Sequence, residues 1–179
     1  YSPAAGTGLS THELNQPGCY RDVKDRTAVA MFKLAANPNF SLGENAYFLA
    51  WTTTPWTLPS NTALAVGKEI DYVAISTYHP TSKIHEAVVL ILAKALVSKY
   101  FPEKNAGLAL EMYKAGDKEI PFKVLCEFKG KHLEGLRYEQ LLTFAKPETG
   151  DAFRVVLGDF VTTEDGTGIV HIAPAFGAD

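Results

Sequence analysis

The segment that most limits the fold of this chain is WTTTPWTLPSN, residues 51–61. The apolar and aromatic residues directly before it, 47–50, are typical of a β-strand. Proline lacks a backbone N–H and fixes φ, so Pro55 and Pro59 interrupt regular structure just after that strand. The segment therefore predicts a cluster of uncharged hydroxyl groups at one edge of a sheet. Such a cluster can hold a polar ligand and a water molecule without a metal or a formal charge.

Short apolar segments separated by turn residues recur along the chain and predict a β-rich α/β fold. We expect a barrel-like, mostly antiparallel sheet with a few peripheral helices. Helical spacing is found at 93–100, and Ser10 can cap a short helix that Pro17 stops. Residues 138–144 are compatible with a short helix or with irregular structure. The predicted strands are 27–34, 46–54, 62–66, 71–78, 87–92, 107–113, 122–128, 152–157 and 168–173.

The length and the first residues indicate how the chain is organised. A chain of 179 residues fits one domain, which we take as 1–179. Residues 1–25 are rich in turn formers and predict an extended lead-in segment. The sequence starts at Tyr1 without a methionine or a signal-like segment, as expected for a piece of a longer protein.

Composition argues against several classes of protein. The net charge of −3 gives no overall attraction to nucleic acid, so RNA binding would need a local patch. Cys19 and Cys126 are too few and too far apart for a metal cluster or a disulfide framework. No apolar run approaches the roughly 20 residues that cross a bilayer, and we expect a cytoplasmic protein without membrane contact. Six lysines could form a basic rim, although ordinary surface charges are the favoured interpretation: Lys94, Lys99, Lys104, Lys114, Lys129 and Lys131.

A second segment with chemical potential is GTGIVHIAPAFGAD, residues 166–179. It lacks the spacing and the lysine of a phosphate-binding loop. Taken alone, His171 at the end of a strand is more often a satisfied structural histidine than a functional one. The chain has no G-x-S-x-G motif, and its other histidines lack metal-site spacing, so neither a serine triad nor a metal site is predicted.

Together, WTTTPWTLPSN and GTGIVHIAPAFGAD resemble the two signature segments of the editing domain of isoleucyl-tRNA synthetases. That domain is the connective-peptide insertion of these class Ia enzymes. The resemblance covers nearly the whole chain and is weakest across 79–150. Neither a HIGH-like nor a KMSKS-like segment is present, so the resemblance implies a fragment that cannot itself aminoacylate tRNA.

The resemblance implies a proofreading hydrolase. Such domains cleave the ester of valine wrongly attached to the 3′ end of tRNA-Ile, and valyl-adenylate is a further candidate substrate. Valine and isoleucine differ by one methylene, worth about 1–3 kcal/mol in a binding pocket, a range for which this synthetase family is itself the standard example. A second pocket that admits only valine adds to that discrimination. Two alternatives remain: a non-catalytic module that binds the aminoacylated 3′ end, and an unrelated β-barrel with a chance Thr-rich strand.

The resemblance also implies roles for individual residues. Thr53, Thr54 and Thr57 are expected to hold the water and the terminal ribose, with Thr52 as a further binding residue. Asn61 is expected to hold the ester or the ribose through its amide. Trp51 should instead point into the core, because it lies on the opposite face of the strand from Thr52.

The remaining implied residues shape the pocket. His171 is expected to exclude isoleucine, and Trp56 and Phe176 are expected to complete an apolar wall. A carboxylate should receive the substrate's ammonium group. In the family this aspartate falls nine residues after the histidine, at position 180 here, so Asp179 is the nearest acid in the sequence.

The resemblance finally implies partners and cofactors. The editing reaction is expected to need no cofactor or metal, while the parent synthetase uses ATP and magnesium. The expected partners are the 3′ end of tRNA-Ile carrying valine and the remainder of the synthetase. We expect the domain to be monomeric.

Overall fold

The computed structural model describes residues 2–4, 6–20, 24, 26–79, 86–144 and 146–174. The α-helices are single turns, α1 (Thr11–Leu14) and α2 (Val97–Tyr100). The strands are β1 (Ala28–Lys33), β2 (Ala46–Thr52), β3 (Ala63–Val66), β4 (Asp71–Tyr78), β5 (Ala87–Ala93), β6 (Lys123–Lys129), β7 (Arg154–Leu157) and β8 (Ile169–Ile172). The 3₁₀ helices are Pro55–Ser60, Lys94–Leu96, Glu103–Asn105, Leu110–Met112 and Gly130–His132.

The strands form two sheets. The larger has the order β1-β2-β5-β4-β6, and the smaller has the order β7-β3-β8. The pairs β2–β5 and β3–β7 are parallel, and the other pairs between described strands are antiparallel. The predicted β-rich and mostly antiparallel character is therefore confirmed.

The main hydrophobic core contains side chains from both sheets, which pack against each other. Phe48 of β2, Leu64 of β3 and Ile169 of β8 belong to it and are almost completely buried. Each such side chain contributes about 1.5–3 kcal/mol relative to an exposed one. Because side chains alternate along a strand, Leu49 faces the other side of the larger sheet, where a second apolar cluster lies.

The predicted barrel is not closed. Among the described strands, β1 and β6 are the edges of the larger sheet, and β7 and β8 are the edges of the smaller one. The 3₁₀ helix Pro55–Ser60 turns the chain away at the end of β2, so β3 joins the second sheet rather than extending the first. The proline positions predicted the interruption, and its consequence is two sheets instead of one barrel.

The strand predicted at 107–113 is wrong. This segment contains the 3₁₀ helix Leu110–Met112. The segment pairs with no described strand. Its Tyr113 ring stacks on Tyr78 at the end of β4 with ring centroids 4.5 Å apart, while Leu108 and Met112 are exposed. Tyr78 also donates a hydrogen bond from its hydroxyl to the carbonyl of Leu110, at 2.8 Å.

Other sequence expectations agree with the structure. The helical segment predicted at 93–100 contains the 3₁₀ helix Lys94–Leu96 followed by α2. Ser10 caps α1 in a reciprocal arrangement with Glu13. Trp51, in contrast, was expected in the core but is only half-buried and belongs to neither described hydrophobic cluster; its ring lies against Gly166. No helix in the described ranges combines the length and apolar character of a transmembrane span.

The turn before β8 is held by several groups of the larger sheet. The backbone N–H of Ala93 donates to the carbonyl of Thr167 at 2.8 Å. The Tyr72 hydroxyl donates to the carbonyl of Gly168 at 2.6 Å. The backbone N–H of Trp51 donates to the hydroxyl of Thr167 at 3.3 Å. These bonds form a joint between the two sheets at Thr167 and Gly168. Because β8 begins at the next residue, the joint fixes the position of the strand that carries His171.

Replacing Gly168 by alanine is expected to lower the free energy of unfolding by about 2–5 kcal/mol. The residue has φ of +73°, and an added Cβ would overlap the side chain of Ala93. The strained backbone costs about 1–2 kcal/mol, and the overlap adds about 1–3 kcal/mol. Urea unfolding at equilibrium measures the change.

Gly135→Ala is the matched control, because Gly135 has a similar φ of +77° but open space where its Cβ would lie. This control is expected to show the backbone cost alone. Equal losses in the two variants would show that close packing at the joint contributes nothing.

Candidate active site

The 3₁₀ helix Pro55–Ser60 determines which side chains of the Thr-rich segment face inward. With three residues per turn, side chains at i and i+3 lie on the same side of the helix. Thr57 is accordingly buried, whereas Trp56 and Pro59 share the exposed side. The first threonine, Thr52, still belongs to β2 and is also buried.

The threonine hydroxyls form a chain of contacts. The Thr57 hydroxyl donates to the carbonyl of Thr54 at 2.8 Å, and the Thr54 N–H donates to the hydroxyl of Thr52 at 3.0 Å. The Thr54 hydroxyl lies 3.4 Å from that of Thr52 and 3.3 Å from that of Thr57. These two oxygen–oxygen distances are long for hydroxyl hydrogen bonds, so the Thr54 hydroxyl can turn to a ligand at little cost. Thr53 is exposed beside this chain.

His171 reaches the threonines from the far end of the sequence. It lies on β8 directly opposite Leu64 of β3, so its half-buried ring shares the core-facing side of the smaller sheet. Its Nε2 atom is 2.9 Å from the Thr57 hydroxyl, a contact between residues separated by 114 positions. The two segments singled out in the sequence therefore converge.

The hydrogen bonds assign a tautomer to His171. Thr57 has a single hydroxyl hydrogen, and a bond from it to the carbonyl of Thr54 at 2.8 Å leaves His171 as the donor at 2.9 Å, so we assign the ring hydrogen to Nε2. The Nδ1 atom then carries a lone pair, and it is buried without a partner among the described residues. Burial lowers the pKa of His171 below its ordinary value. The ring is consequently neutral at pH 7, which suits a wall against an aliphatic side chain.

The neutral state of His171 predicts a loss of stability in mild acid. Burial holds its pKa in the folded chain below the ordinary value of 6.5. The unfolded chain therefore binds the proton first as the pH falls, and protonation favours unfolding. The contribution is complete above about pH 6.5 and is expected to be lost as the pH drops through the lowered pKa.

Measuring the free energy of unfolding from pH 8 to pH 5 tests this expectation. His171→Gln should flatten the curve in that window. His132→Gln, at an exposed position, is the matched control. An identical pH dependence in the wild type and His171→Gln would contradict the assignment.

Asn61 is almost completely buried, and both ends of its amide are engaged. Its oxygen accepts a hydrogen bond of 2.6 Å from the Tyr138 hydroxyl. Its nitrogen donates to the carbonyl of Ala63 at 2.9 Å and faces that of Ile172 at 3.4 Å. The direct contact with ester or ribose expected from the sequence stays a prediction, and the amide as placed here ties the Thr-rich segment to β8.

The expected apolar wall is only partly described. The indole of Trp56 is 65% exposed, so in this chain it does not close a pocket with His171. The 3₁₀ winding explains this position, because it turns Thr57 inward and Trp56 outward. Phe176 and Asp179 lie outside the described residues.

Four of the six lysines considered as a basic rim form ion pairs. Their partners are exposed carboxylates, at distances of 2.6–3.1 Å, and such pairs contribute about 0–1 kcal/mol each. The paired groups are Lys94 with Glu127, Lys99 with Asp165, Lys104 with Glu119 and Lys129 with Asp71. Their neutralised charge favours the interpretation as ordinary surface lysines.

Sequence reasoning missed the residues that support the site. Tyr138, Tyr72 and Thr167 are buried and hydrogen-bonded to the segments that carry Asn61 and His171. Thr167 lies inside the GTG triplet, which offered a local signal. The tyrosines lie in no motif, and their role follows only from the tertiary structure.

Comparison with known proteins identifies close relatives. The chain is 66% identical over 179 residues to an isoleucine–tRNA ligase of Cytophaga hutchinsonii, covering 100% of the chain and 16% of that protein. It is 63% identical over 180 residues to an isoleucine–tRNA ligase of Bacteroides fragilis, with the same coverage of 100% and 16%. The chain thus spans 16% of the length of these relatives. No family model matches it.

Solved structures of similar fold are leucyl-tRNA synthetase modules. The crystal structure of GlLeuRS-CP1 matches with a TM-score of 0.52 and 18% identity, over 82% of this chain and 54% of that one. The editing domain of the P. knowlesi cytosolic leucyl-tRNA synthetase matches with a TM-score of 0.53 and 15% identity, over 81% and 57%. At these identities the likeness establishes the fold alone.

Proposed function

This chain belongs to the isoleucine–tRNA ligase family, and from that premise we propose that it is a proofreading domain which hydrolyses the ester of valine mischarged onto tRNA-Ile. The observation that carries the proposal is the 2.9 Å contact between the hydroxyl of Thr57 and Nε2 of His171. It joins the only two segments that were assigned to editing from the sequence. The editing-domain fold of the structural neighbours is consistent with this role.

The reaction is a simple ester hydrolysis. Water attacks the ester carbonyl, the bond to the ribose oxygen breaks, and that oxygen receives a proton, which leaves free valine and deacylated tRNA. An aminoacyl ester is already activated, so the site mainly has to place the water and stabilise the developing oxyanion. Neutral hydroxyls are sufficient for both tasks, and we propose that the reaction uses no cofactor.

The geometry favours different roles for the threonines. The Thr57 hydroxyl has its single hydrogen on the carbonyl of Thr54 and one acceptor position on His171, and it acts as the fixed centre of the site. Among the described residues, the Thr54 hydroxyl makes only the two long contacts, and it is the best candidate to hold the water. Thr53 is exposed and is assigned to the terminal ribose. Thr52 orients Thr54, because the Thr52 hydroxyl accepts a hydrogen bond from the backbone N–H of Thr54.

Selectivity is assigned to the ring of His171. The Thr57 contact fixes the ring at one end, and pairing of β8 with β3 holds its backbone. A fixed aromatic ring cannot make room for one more methylene, because closely packed side chains tolerate added volume poorly. The neutral state of the imidazole avoids placing a charge beside the aliphatic side chain of valine.

The partners, oligomeric state and location that we propose are those of the family. The partners are the 3′ end of tRNA-Ile carrying valine and the remainder of a synthetase about six times longer, of which this chain represents 16%. We propose a monomeric domain acting in the cytoplasm, with valyl-adenylate as a further substrate.

A deacylation assay tests the proposal. Val-tRNA-Ile and Ile-tRNA-Ile, each labelled on the amino acid, are incubated with this chain and with the full-length synthetase. Release of valine well above spontaneous hydrolysis, with isoleucine retained, is the expected result. Retention of Val-tRNA-Ile without hydrolysis by either protein would instead identify a binding module and overturn the proposal.

A further inference from the structure

The buried hydroxyl of Tyr138 makes a short hydrogen bond that the proposed chemistry does not use. It donates to the amide oxygen of Asn61 at 2.6 Å, and the two residues are only 3% and 5% exposed. Burial raises the pKa of Tyr138, so the hydroxyl keeps its hydrogen and acts as a donor. The bond connects positions 77 residues apart.

The Tyr138 ring is fixed by its surroundings. It packs edge-on against Phe32 and Phe153, with ring centroids 5.3 Å and 6.1 Å away. Its backbone bridges to Leu34, and its N–H donates to the carbonyl of Phe153 at 3.1 Å. The hydroxyl therefore has a defined position relative to both sheets.

That position selects one orientation of the Asn61 amide. With its oxygen held by Tyr138, the amide nitrogen points to the carbonyls of Ala63 and Ile172. The reversed amide would place its oxygen against those two carbonyl oxygens, which is repulsive, and would leave the tyrosine without an acceptor.

Asn61 contacts both halves of the candidate site, one through its backbone and the other through its side-chain amide. Its backbone N–H donates to the carbonyl of Leu58 at 3.1 Å, which closes the 3₁₀ helix that carries Thr57. Its side chain faces the carbonyl of Ile172, the residue that follows His171 on β8. A loss of the orientation therefore acts on the distance between Thr57 and His171.

We infer that Tyr138 is a positioning residue of the editing site, which acts through Asn61 to hold Thr57 and His171 together. The inference concerns the geometry of the site, and its kinetic consequence rests on the proposed deacylase function. It also gives Asn61 a supporting role in place of a direct contact with substrate.

Tyr138→Phe in the full-length synthetase tests the inference, because it removes the hydroxyl and keeps the ring. The expected result is a fall of about tenfold in kcat for deacylation of Val-tRNA-Ile, with KM changed less than twofold. Tyr78→Phe is the matched control: it removes the 2.8 Å bond to Leu110, away from the site, and should leave kcat unchanged. A kcat for Tyr138→Phe equal to that of the control would overturn the inference.

A second readout separates this inference from the proposed function. The ring resonances of His171 in NMR spectra of this chain, assigned with His171→Gln, report the Thr57 contact without any substrate. Tyr138→Phe should shift them and raise the measured pKa of the ring, and Tyr78→Phe should do neither. If the wild type does not deacylate tRNA but the shift occurs, the proposed function fails and the positioning role stands.

A further variant applies if Tyr138→Phe does not fold. Asn61→Asp keeps an acceptor for Tyr138 but lacks the amide hydrogens that face Ala63 and Ile172. It is expected to show the same shift of the His171 resonances. Unchanged resonances in a folded Asn61→Asp variant would also overturn the inference.

Discussion

Replacing Thr57 by valine is expected to lower the rate of Val-tRNA-Ile deacylation by about 100-fold or more. The hydroxyl holds both the carbonyl of Thr54 and Nε2 of His171, so its removal frees the ring and the turn together. Loss of one fixed polar group at an acyl-transfer centre typically has an effect of this size. The buried Nε2–H also loses its acceptor, which should lower the free energy of unfolding by about 1–3 kcal/mol. Single-turnover deacylation and urea unfolding measure the two effects.

Thr57→Ser is the control for this prediction. Serine keeps the hydroxyl and removes only a methyl group, so the rate should stay within about tenfold of the wild type, in line with the usual cost of a small cavity. A rate for Thr57→Val as high as that of Thr57→Ser would contradict the prediction, because valine keeps the methyl group and lacks only the hydroxyl.

Replacing His171 by alanine is expected to make the domain cleave Ile-tRNA-Ile as well. Removing the ring opens space for the extra methylene, which is worth about 1–3 kcal/mol, the range for which this enzyme family is itself the standard example. The preference for the valine ester over the isoleucine ester should fall by at least about tenfold. Parallel deacylation of the two charged tRNAs gives the ratio directly.

His171→Phe distinguishes volume from hydrogen bonding. Phenylalanine keeps a ring of similar extent but cannot donate to Thr57. We expect this variant to react slowly and still reject isoleucine. An unchanged preference for valine in His171→Ala would remove the histidine from selectivity.

Much of the local structure follows from the sequence. The strands around β2, β4 and β5 were predicted because apolar and β-branched residues alternate or run together between turn residues. The break at Pro55 was predicted from proline chemistry. The convergence of Thr57 and His171 followed from the family resemblance, since spacing along the chain contains no information about a contact across 114 positions.

The arrangement of the strands could not be predicted in the same way. β3 pairs in parallel with β7, which lies about ninety residues later, and no local pattern indicates such a partner. Residues 107–113 show the limit of alternation as a signal: Tyr113 stacks on Tyr78 from outside the sheet, and Leu108 and Met112 are exposed. Alternation by itself does not establish that a segment is buried or that it pairs with a neighbouring strand.

The burial of Asn61 and its hydrogen bonds also could not be predicted from the sequence. A polar residue in a polar motif suggests contact with a ligand, and its burial depends on Tyr138, which arrives from 77 positions away. The buried hydrogen bond between the Tyr138 hydroxyl and the Asn61 amide oxygen can be recognised only in the folded structure. The tertiary structure, and not the sequence motif, shows that the Asn61 amide takes part in internal hydrogen bonds.

The long separation between Thr57 and His171 has a consequence for how the protein is made. Chain closure over 114 residues is entropically less favourable than closure of a local hairpin such as β4–β5, and contacts of this range slow folding. During synthesis, the larger sheet can assemble before β8 leaves the ribosome, since its last strand ends at Lys129. A nascent chain that stops short of β8 would have most of its core but would lack the contact between Thr57 and His171.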